Sequence, residues 1–284
     1  MRGSKRQIAA HSLRTDSANH GTDVRFLRPP HPDPLPQGGE GECTKKSNMA
    51  SRDEALIEEL VLANRILYNQ GVLDGFGHVS VRDSKNPEHF WLAKSCAPAL
   101  VTKAEIFEFD RNGEPVTAKG ENLYRERYIH SELYRARPDV RSVTHTHSPT
   151  LIPFANSATP LRPMAQVSGF LGAGAAVFDI RDYDDGDDML IRNAKLGGDL
   201  ATALGQGAVI LMRGHGSTAV GGSIREAVWR GIYSEINARQ QIQGMLLGPV
   251  HFLSLEEARH AAKVIPTDPD RAWNLWRDQA LKGG

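Results

Sequence analysis

Between Arg28 and Gly41 the chain reads Arg-Pro-Pro-His-Pro-Asp-Pro-Leu-Pro-Gln-Gly-Gly-Glu-Gly. Proline lacks a backbone donor and glycine carries excess chain entropy, so this stretch cannot build a helix or a central strand. It confines any packed core to residues beyond Gly41. At Met49-Ala-Ser-Arg-Asp-Glu54 the character changes and an amphipathic pattern begins. Residues 1–48 are therefore expected to be disordered, with Met49 as the natural start and the preceding segment translated from upstream sequence; a genuine disordered tail is the alternative. Cys43 belongs to that segment.

From residue 49 to 284 short strand patterns alternate with helical ones. Ser51-Arg-Asp-Glu54 is a capping-box pattern, and Leu56, Leu60, Ala63 and Leu67 come after it at helical spacing until Gly71 and Gly75. Residues 78–82, 89–94 and 106–110 read as antiparallel strands joined by turns. The spacing predicts a helix over 123–136, closed by Arg137-Pro138, then a strand over 142–147. Further strands are expected at 175–179, 208–212 and 217–220, and helices at 193–204 and 223–246. A second capping box, Ser254-Leu-Glu-Glu257, and Thr267-Asp-Pro269 open a helical C-terminal tail with Trp273 and Trp276. Mixed elements in one stretch favour a single α/β domain whose helices cover a largely antiparallel sheet.

Lys+Arg and Asp+Glu balance at 34 each, which argues against a nucleic-acid coat or a polybasic membrane binder. The two cysteines, Cys43 and Cys96, exclude a disulfide scaffold or a cysteine-rich zinc module. Apolar runs such as Ala208–Met212 are too short to span a bilayer, and the polar N-terminus lacks the apolar region of a secretory signal. The expected location is the cytoplasm.

Chemistry concentrates in the histidines. His145 and His147 stand two apart in Val143-Thr-His-Thr-His147, and on a strand such residues share a face. A divalent metal pair and two solvent-facing imidazoles are both open readings. His215, in Arg213-Gly-His-Gly216, lies between glycines that let the backbone approach a partner; a plain turn histidine is the alternative. Glu126 lies one helical turn before His130. It could be a fourth ligand or a general base, or a surface carboxylate. Three histidines with a carboxylate suit zinc or manganese.

These residues resemble the class II aldolase/adducin family over roughly residues 55–241. The resemblance rests on Gly77-His-Val-Ser-Val-Arg82, on the segment from Glu126 to His147 with Ala136-Arg-Pro-Asp-Val140, and on Met212-Arg-Gly-His-Gly216. It implies a three-layer α/β/α fold with a central, largely antiparallel sheet. It also implies a homotetramer with active sites near subunit interfaces and one divalent metal ion per subunit. By the same resemblance His145, His147 and His215 bind the metal, while Glu126 is the catalytic acid/base and ligates the metal when substrate is absent.

Departures narrow the substrate. Sugar-phosphate aldolases of the family have Gly-Asn where this chain has Gly77-His78, and a Ser-Ser pair where it has Tyr124-Arg125. Their phosphate loop is replaced by Lys94-Ser-Cys-Ala97. A phosphate dianion needs small hydroxyls and free backbone N–H groups, and Tyr124 would crowd such a cradle. Arg125, with Lys94, suits a carboxylate instead. Phe76-Gly-His-Val-Ser, Ile152-Pro-Phe154 and Val167-Ser-Gly-Phe-Leu-Gly172 resemble the branch of hydroxy-methylpyridine-dicarboxylate and dihydroxyphthalate decarboxylases.

The expected function is therefore decarboxylation of a hydroxylated aromatic or heteroaromatic carboxylate through a metal-stabilised enolate. Glu126 would handle the proton. His78 would act as a second acid/base or a substrate hydrogen bond, and Arg125, Lys94, Ser95 and Ser80 would contact the small-molecule carboxylate. His130 is expected on the helix surface. An aldolase for a non-phosphorylated hydroxy-keto acid and a non-catalytic adducin-like scaffold are the competing readings. No nucleic-acid or membrane partner is expected.

Overall fold

The computed structural model describes residues 53–118, 120–184, 188–264 and 269–282. The expectation for residues 1–48, and the cap expected at Ser51, lie outside the described residues.

Seven strands form one sheet: β1 (His78–Arg82), β2 (Phe90–Ala93), β3 (Ile106–Phe109), β4 (Ser142–Thr146), β5 (Ala176–Phe178), β6 (Val209–Met212) and β7 (Gly216–Gly221). Their order is β3-β2-β1-β4-β7-β6-β5. Every neighbouring pair is antiparallel except β5–β6. The helices are α1 (Glu54–Asn69), α2 (Arg127–Ala136), α3 (Leu151–Ala155), α4 (Ala194–Leu204), α5 (Ile224–Leu247), α6 (Leu255–Val264) and α7 (Pro269–Lys282).

Strand alternation sorts the side chains into two layers. Val79, Val81, Trp91 and Ala93 point to a core shared with Ile57, Leu60 and Leu67 of α1, Val228 and Ile232 of α5, and Trp273 and Trp276 of α7. Phe90, Leu92, Val143, Ile210, Met212 and Val220 point the other way, against Ile129 and Leu133 of α2 and Leu196 and Leu200 of α4. Helices on both faces of one sheet make the expected α/β/α sandwich. The tail is part of it, because burying two tryptophans ties α7 onto α1 and α5.

Cap chemistry sets most helix starts. Asn193 and Ser223 each accept from the backbone N–H three residues on, opening α4 and α5. Ser254 and Glu257 exchange both capping-box bonds, at 3.2 and 2.7 Å. In α1 the cap is Asp53, whose carboxylate accepts from Leu56 N–H. The helix expected from residue 123 instead begins at Arg127, with Glu126 as a cap residue whose side chain makes no capping bond. Tertiary contacts claim the preceding turn: the Tyr124 hydroxyl donates to the Cys96 carbonyl at 2.5 Å, and the Glu126 carboxylate is used elsewhere.

Candidate metal centre

Three elements meet at one end of the sheet. β4 delivers His145 on its last turn of pleat, with His147 just beyond the strand, and both rings lie on the α2 side. His215 occupies the tight turn between β6 and β7, where Gly214 takes φ 70° and His215 N–H bonds the Met212 carbonyl at 3.1 Å. Since β4 pairs with β7, that turn sits beside the His-Thr-His segment. Glu126, at the head of α2, covers the cluster from above the sheet.

The donor atoms converge. Nε2 of His147 lies 3.3 Å from Nε2 of His145 and 3.1 Å from Nε2 of His215. Oε2 of Glu126 lies 3.5 Å from His145 Nε2 and 3.4 Å from His215 Nε2. All four ligand atoms lie within 4.8 Å of one another. Donors bound at 2.0–2.1 Å in a tetrahedron would stand about 3.3 Å apart, so this nitrogen and oxygen set fits one small divalent cation. Four donors with lone pairs crowded at these distances also need a positive charge between them.

Backbone groups aim the ligands. Nδ1 of His215 donates to the Met189 carbonyl at 2.9 Å, which leaves Nε2 as the free donor atom. Ile191 N–H donates to Oε1 of Glu126 at 3.2 Å, which turns Oε2 to the histidines. One short segment thus orients two of the four ligands. Met189 holds φ 58° there, the positive-φ non-glycine among the described residues, a conformation costing about 1–3 kcal/mol. Sequence reasoning did not find Met189 or Ile191, because a backbone carbonyl or amide leaves no residue-type signal.

Burial and mutual charge set the protonation states. Burial pushes Glu126 up, but His145 and His215 outweigh it and hold the carboxyl well below its usual range. Burial lowers His147 to about 4, helped by repulsion from His145 and His215. His145 is lowered by burial against the pull of Glu126. For His215, burial opposes charge, yet the Glu126 bond and attraction prevail and raise it. A site of one carboxylate and mostly neutral imidazoles is ready for a cation.

His78 pairs across the sheet with His145, its ring centroid 5.1 Å from that of His145 and 4.3 Å from that of Tyr124. Two expectations are corrected. Ser80 is fully buried, its hydroxyl lying 2.6 Å from both His130 Nδ1 and the Tyr134 phenol, so it is sealed from a substrate. His130 is also fully buried rather than on the helix surface, because α2 turns this side to the sheet. Arg125 and Ser95 are exposed and Lys94 is half-buried, paired with Glu121 at 3.0 Å. The structure leaves these three side chains outside the histidine cluster. Tyr233 of α5 packs beside Trp229, their ring centroids 4.3 Å apart and tilted by 40°, against the core that α1, α5 and α7 share.

Residues 58–242 match the family model described as Class II Aldolase and Adducin N-terminal domain. The chain is 38% identical to decarboxylase tropJ of Talaromyces stipitatus over 80% of its own length and 95% of that protein. It is 31% identical to the 3,4-dihydroxyphthalate decarboxylase of Arthrobacter keyseri, over 66% of the chain and 77% of that protein. A 26% match to rat beta-adducin spans 64% of the chain and 25% of the adducin. Among solved structures, L-fuculose 1-phosphate aldolase of Glaciozyma antarctica superposes with TM-score 0.64 at 25% identity, covering 84% and 92% of the two chains.

Proposed function

Because the chain belongs to the class II aldolase and adducin family, we propose that it is a divalent-metal-dependent lyase that decarboxylates a hydroxylated aromatic or heteroaromatic carboxylate. The observation that carries this reading is the convergence of three imidazoles and one buried carboxylate in a chain similar over most of its length to decarboxylases. His145, His147 and His215 would hold the cation, with Glu126 as a further ligand before substrate arrives. Imidazole donors favour zinc and the carboxylate admits manganese. When bound, the cation supplies a Lewis acid for the electron pair left by the broken carbon–carbon bond.

The chain's own groups do the rest. Oε1 of Glu126 stays tied to Ile191, so Oε2 is the atom that holds or releases the proton. In the reaction the bond from ring carbon to carboxylate breaks, CO2 leaves, and its electron pair remains on the ring carbon. One proton then takes its place, so no oxidant or co-reactant is needed. Arg125 would grip the spare carboxylate in a fork, with Lys94 and Ser95 beside it. Phe76, 67% exposed and 6.0 Å from the His147 ring, offers an apolar rim for a substrate ring or a neighbouring subunit. A cytoplasmic homotetramer with sites near its interfaces belongs to the same reading. Among the described residues no helix is long and apolar enough to cross a membrane.

The test is a panel of hydroxylated phthalates and pyridine dicarboxylates with metal-loaded protein, monitoring CO2. Release of CO2 with one replacement proton supports the reading. The similarity to an aldolase fold keeps a second reading in play, and aldehyde release from a non-phosphorylated hydroxy-keto acid would select it. Sub-stoichiometric metal and no turnover would select the scaffold.

A further inference from the structure

Four arginines gather at the end of the sheet opposite the metal centre. Arg82 closes β1, and its backbone N–H donates to the Arg141 carbonyl at 2.8 Å, just before β4 begins. His78 and His145 pair at the other end of the same two strands, about 13 Å away along an extended strand. Arg82, Arg111, Arg135 and Arg141 line one cavity there, of about 300 Å³.

The cavity carries positive charge that no carboxylate cancels. Arg111 pairs with Glu88 at 2.6 Å and Arg135 with Glu132 at 3.3 Å. Arg82 and Arg141 have no carboxylate partner among the described residues. Arg82 is 6% exposed and gives four of its five N–H groups to the carbonyls of Val140, Pro87, Tyr134 and Arg137. Carbonyl dipoles hold a guanidinium in place but leave its charge standing. Arg141 makes one side-chain bond among the described residues, to the Asp83 carbonyl at 3.4 Å, so most of its fork is uncommitted. Burial lowers the Arg82 pKa against the pull of Tyr134, and repulsion from Arg141 lowers it further, as two like charges do when no anion separates them. Ser131, one turn ahead of Arg135 on α2, lines the same cavity, and its buried hydroxyl has no hydrogen-bond partner among the described residues.

We infer that this cavity is a second binding site, separate from the metal centre, for a small oxyanion of two or more negative charges, held by Arg111 and Arg141 and balanced by the buried charge of Arg82. A guanidinium fork takes the oxygens of a carboxylate or a phosphate two at a time. A phosphate group and a dicarboxylate present the same paired oxygens, and both bring the two charges that Arg82 and Arg141 leave uncancelled. Pro87 and Pro138 line the cavity with rigid apolar surface, so an anion inside is less screened than one on open surface. The site takes no part in the proposed carbon–carbon cleavage, and neither reading depends on the other.

The experiment is titration calorimetry of the zinc-loaded full chain with inorganic phosphate and, separately, with phthalate, at an ionic strength held constant with sodium chloride. His145→Ala and the chelator-stripped chain serve as metal-free forms. Arg141→Gln and Arg111→Gln each remove one guanidinium without touching the bonds that hold Arg82. The expected result is a saturable site present alike in the unsubstituted chain and in the metal-free forms. It should weaken about tenfold or more in Arg141→Gln and in Arg111→Gln, with zinc content unchanged in both. Saturation by phosphate or by phthalate supports the site, and the tighter of the two names the oxyanion it prefers. Heat that never saturates with either anion, a site lost in both metal-free forms, or a site undiminished in the two arginine variants would overturn the inference. The Arg111 side chain is 56% exposed, so Arg111→Gln keeps the fold and decides the matter even if Arg141→Gln does not fold.

Discussion

Gly216 packs so closely on Thr146 that a Cβ at position 216 would overlap the Thr146 carbonyl oxygen. This approach lets the start of β7 lie directly on the end of β4, which puts the ring centroids of His147 and His215 4.9 Å apart. Gly216→Ala must push the two backbones apart, since backbone cannot swing aside as a flexible side chain can. The expected result is a loss of zinc affinity of at least about tenfold, read by competitive titration, in a protein whose circular dichroism still shows the folded sandwich.

The ligand set predicts a split between two substitutions. His145→Ala removes a fully buried imidazole and should abolish both bound metal and turnover. Glu126→Gln keeps the shape and the Ile191 contact but loses the charge and the proton site. Metal affinity should fall about 10–100-fold, while turnover at saturating metal falls roughly 10²–10⁴-fold. Metal analysis beside single-turnover kinetics separates the two effects.

Acid should destabilise the metal-free protein through His130. Burial depresses its folded pKa to about 3, against 6.5 for the free ring. Above pH 6.5 both folded and unfolded chains hold it neutral and nothing is lost. Below that value the unfolded chain binds a proton that the folded chain refuses, so stability falls until the folded pKa is reached. The slope is about 1.4 kcal/mol per pH unit from this group alone. Urea titrations on the acid side of pH 6.5 should show a slope shallower by that amount in His130→Gln; equal slopes would refute the assignment.

Glu235 fastens the turn just after His147. Its carboxylate, nearly fully buried, accepts from the Ser148 and Thr150 hydroxyls and from Thr150 N–H at 3.3 Å. Glu235→Ala strands these donors, and the expected cost is about 2–4 kcal/mol, measured by urea denaturation. Zinc affinity should weaken in parallel, because the segment carrying His147 loses its anchor.

Arg125 is exposed beside Glu126, so its replacement should leave the fold untouched. If it grips a substrate carboxylate, Arg125→Ala raises KM about tenfold or more at unchanged metal content, and Arg125→Lys recovers only part of the loss because lysine cannot form the fork. Steady-state kinetics with a dicarboxylate and its monocarboxylate analogue would show this.

Much of the fold can be read along the chain. β1 falls on residues 78–82 as expected, and Asn193 and Ser223 open their helices as capping residues do. Caps and strand alternation act within a few residues, so their signal is local. The same reasoning placed Glu126 inside a helix and His130 on its surface. It failed there because Tyr124, Ile191 and the sheet, brought in by tertiary packing, claim those groups. Ser80 looked like a substrate hydroxyl for the same reason: nothing near it in the chain announces His130 and Tyr134.

What the order of residues determined by itself is the inventory: two imidazoles on one strand face, a third between glycines, a carboxylate ahead of them, and the elements that carry each. Only the packed molecule decided that these meet within 4.8 Å, that Met189 and Ile191 aim them, and that His78, His130, Ser80 and Tyr134 lie in one buried run of close polar contacts. Periodicity and capping are properties of neighbours along the backbone, whereas the distance between remote side chains depends on strand order and on partners brought in from other elements.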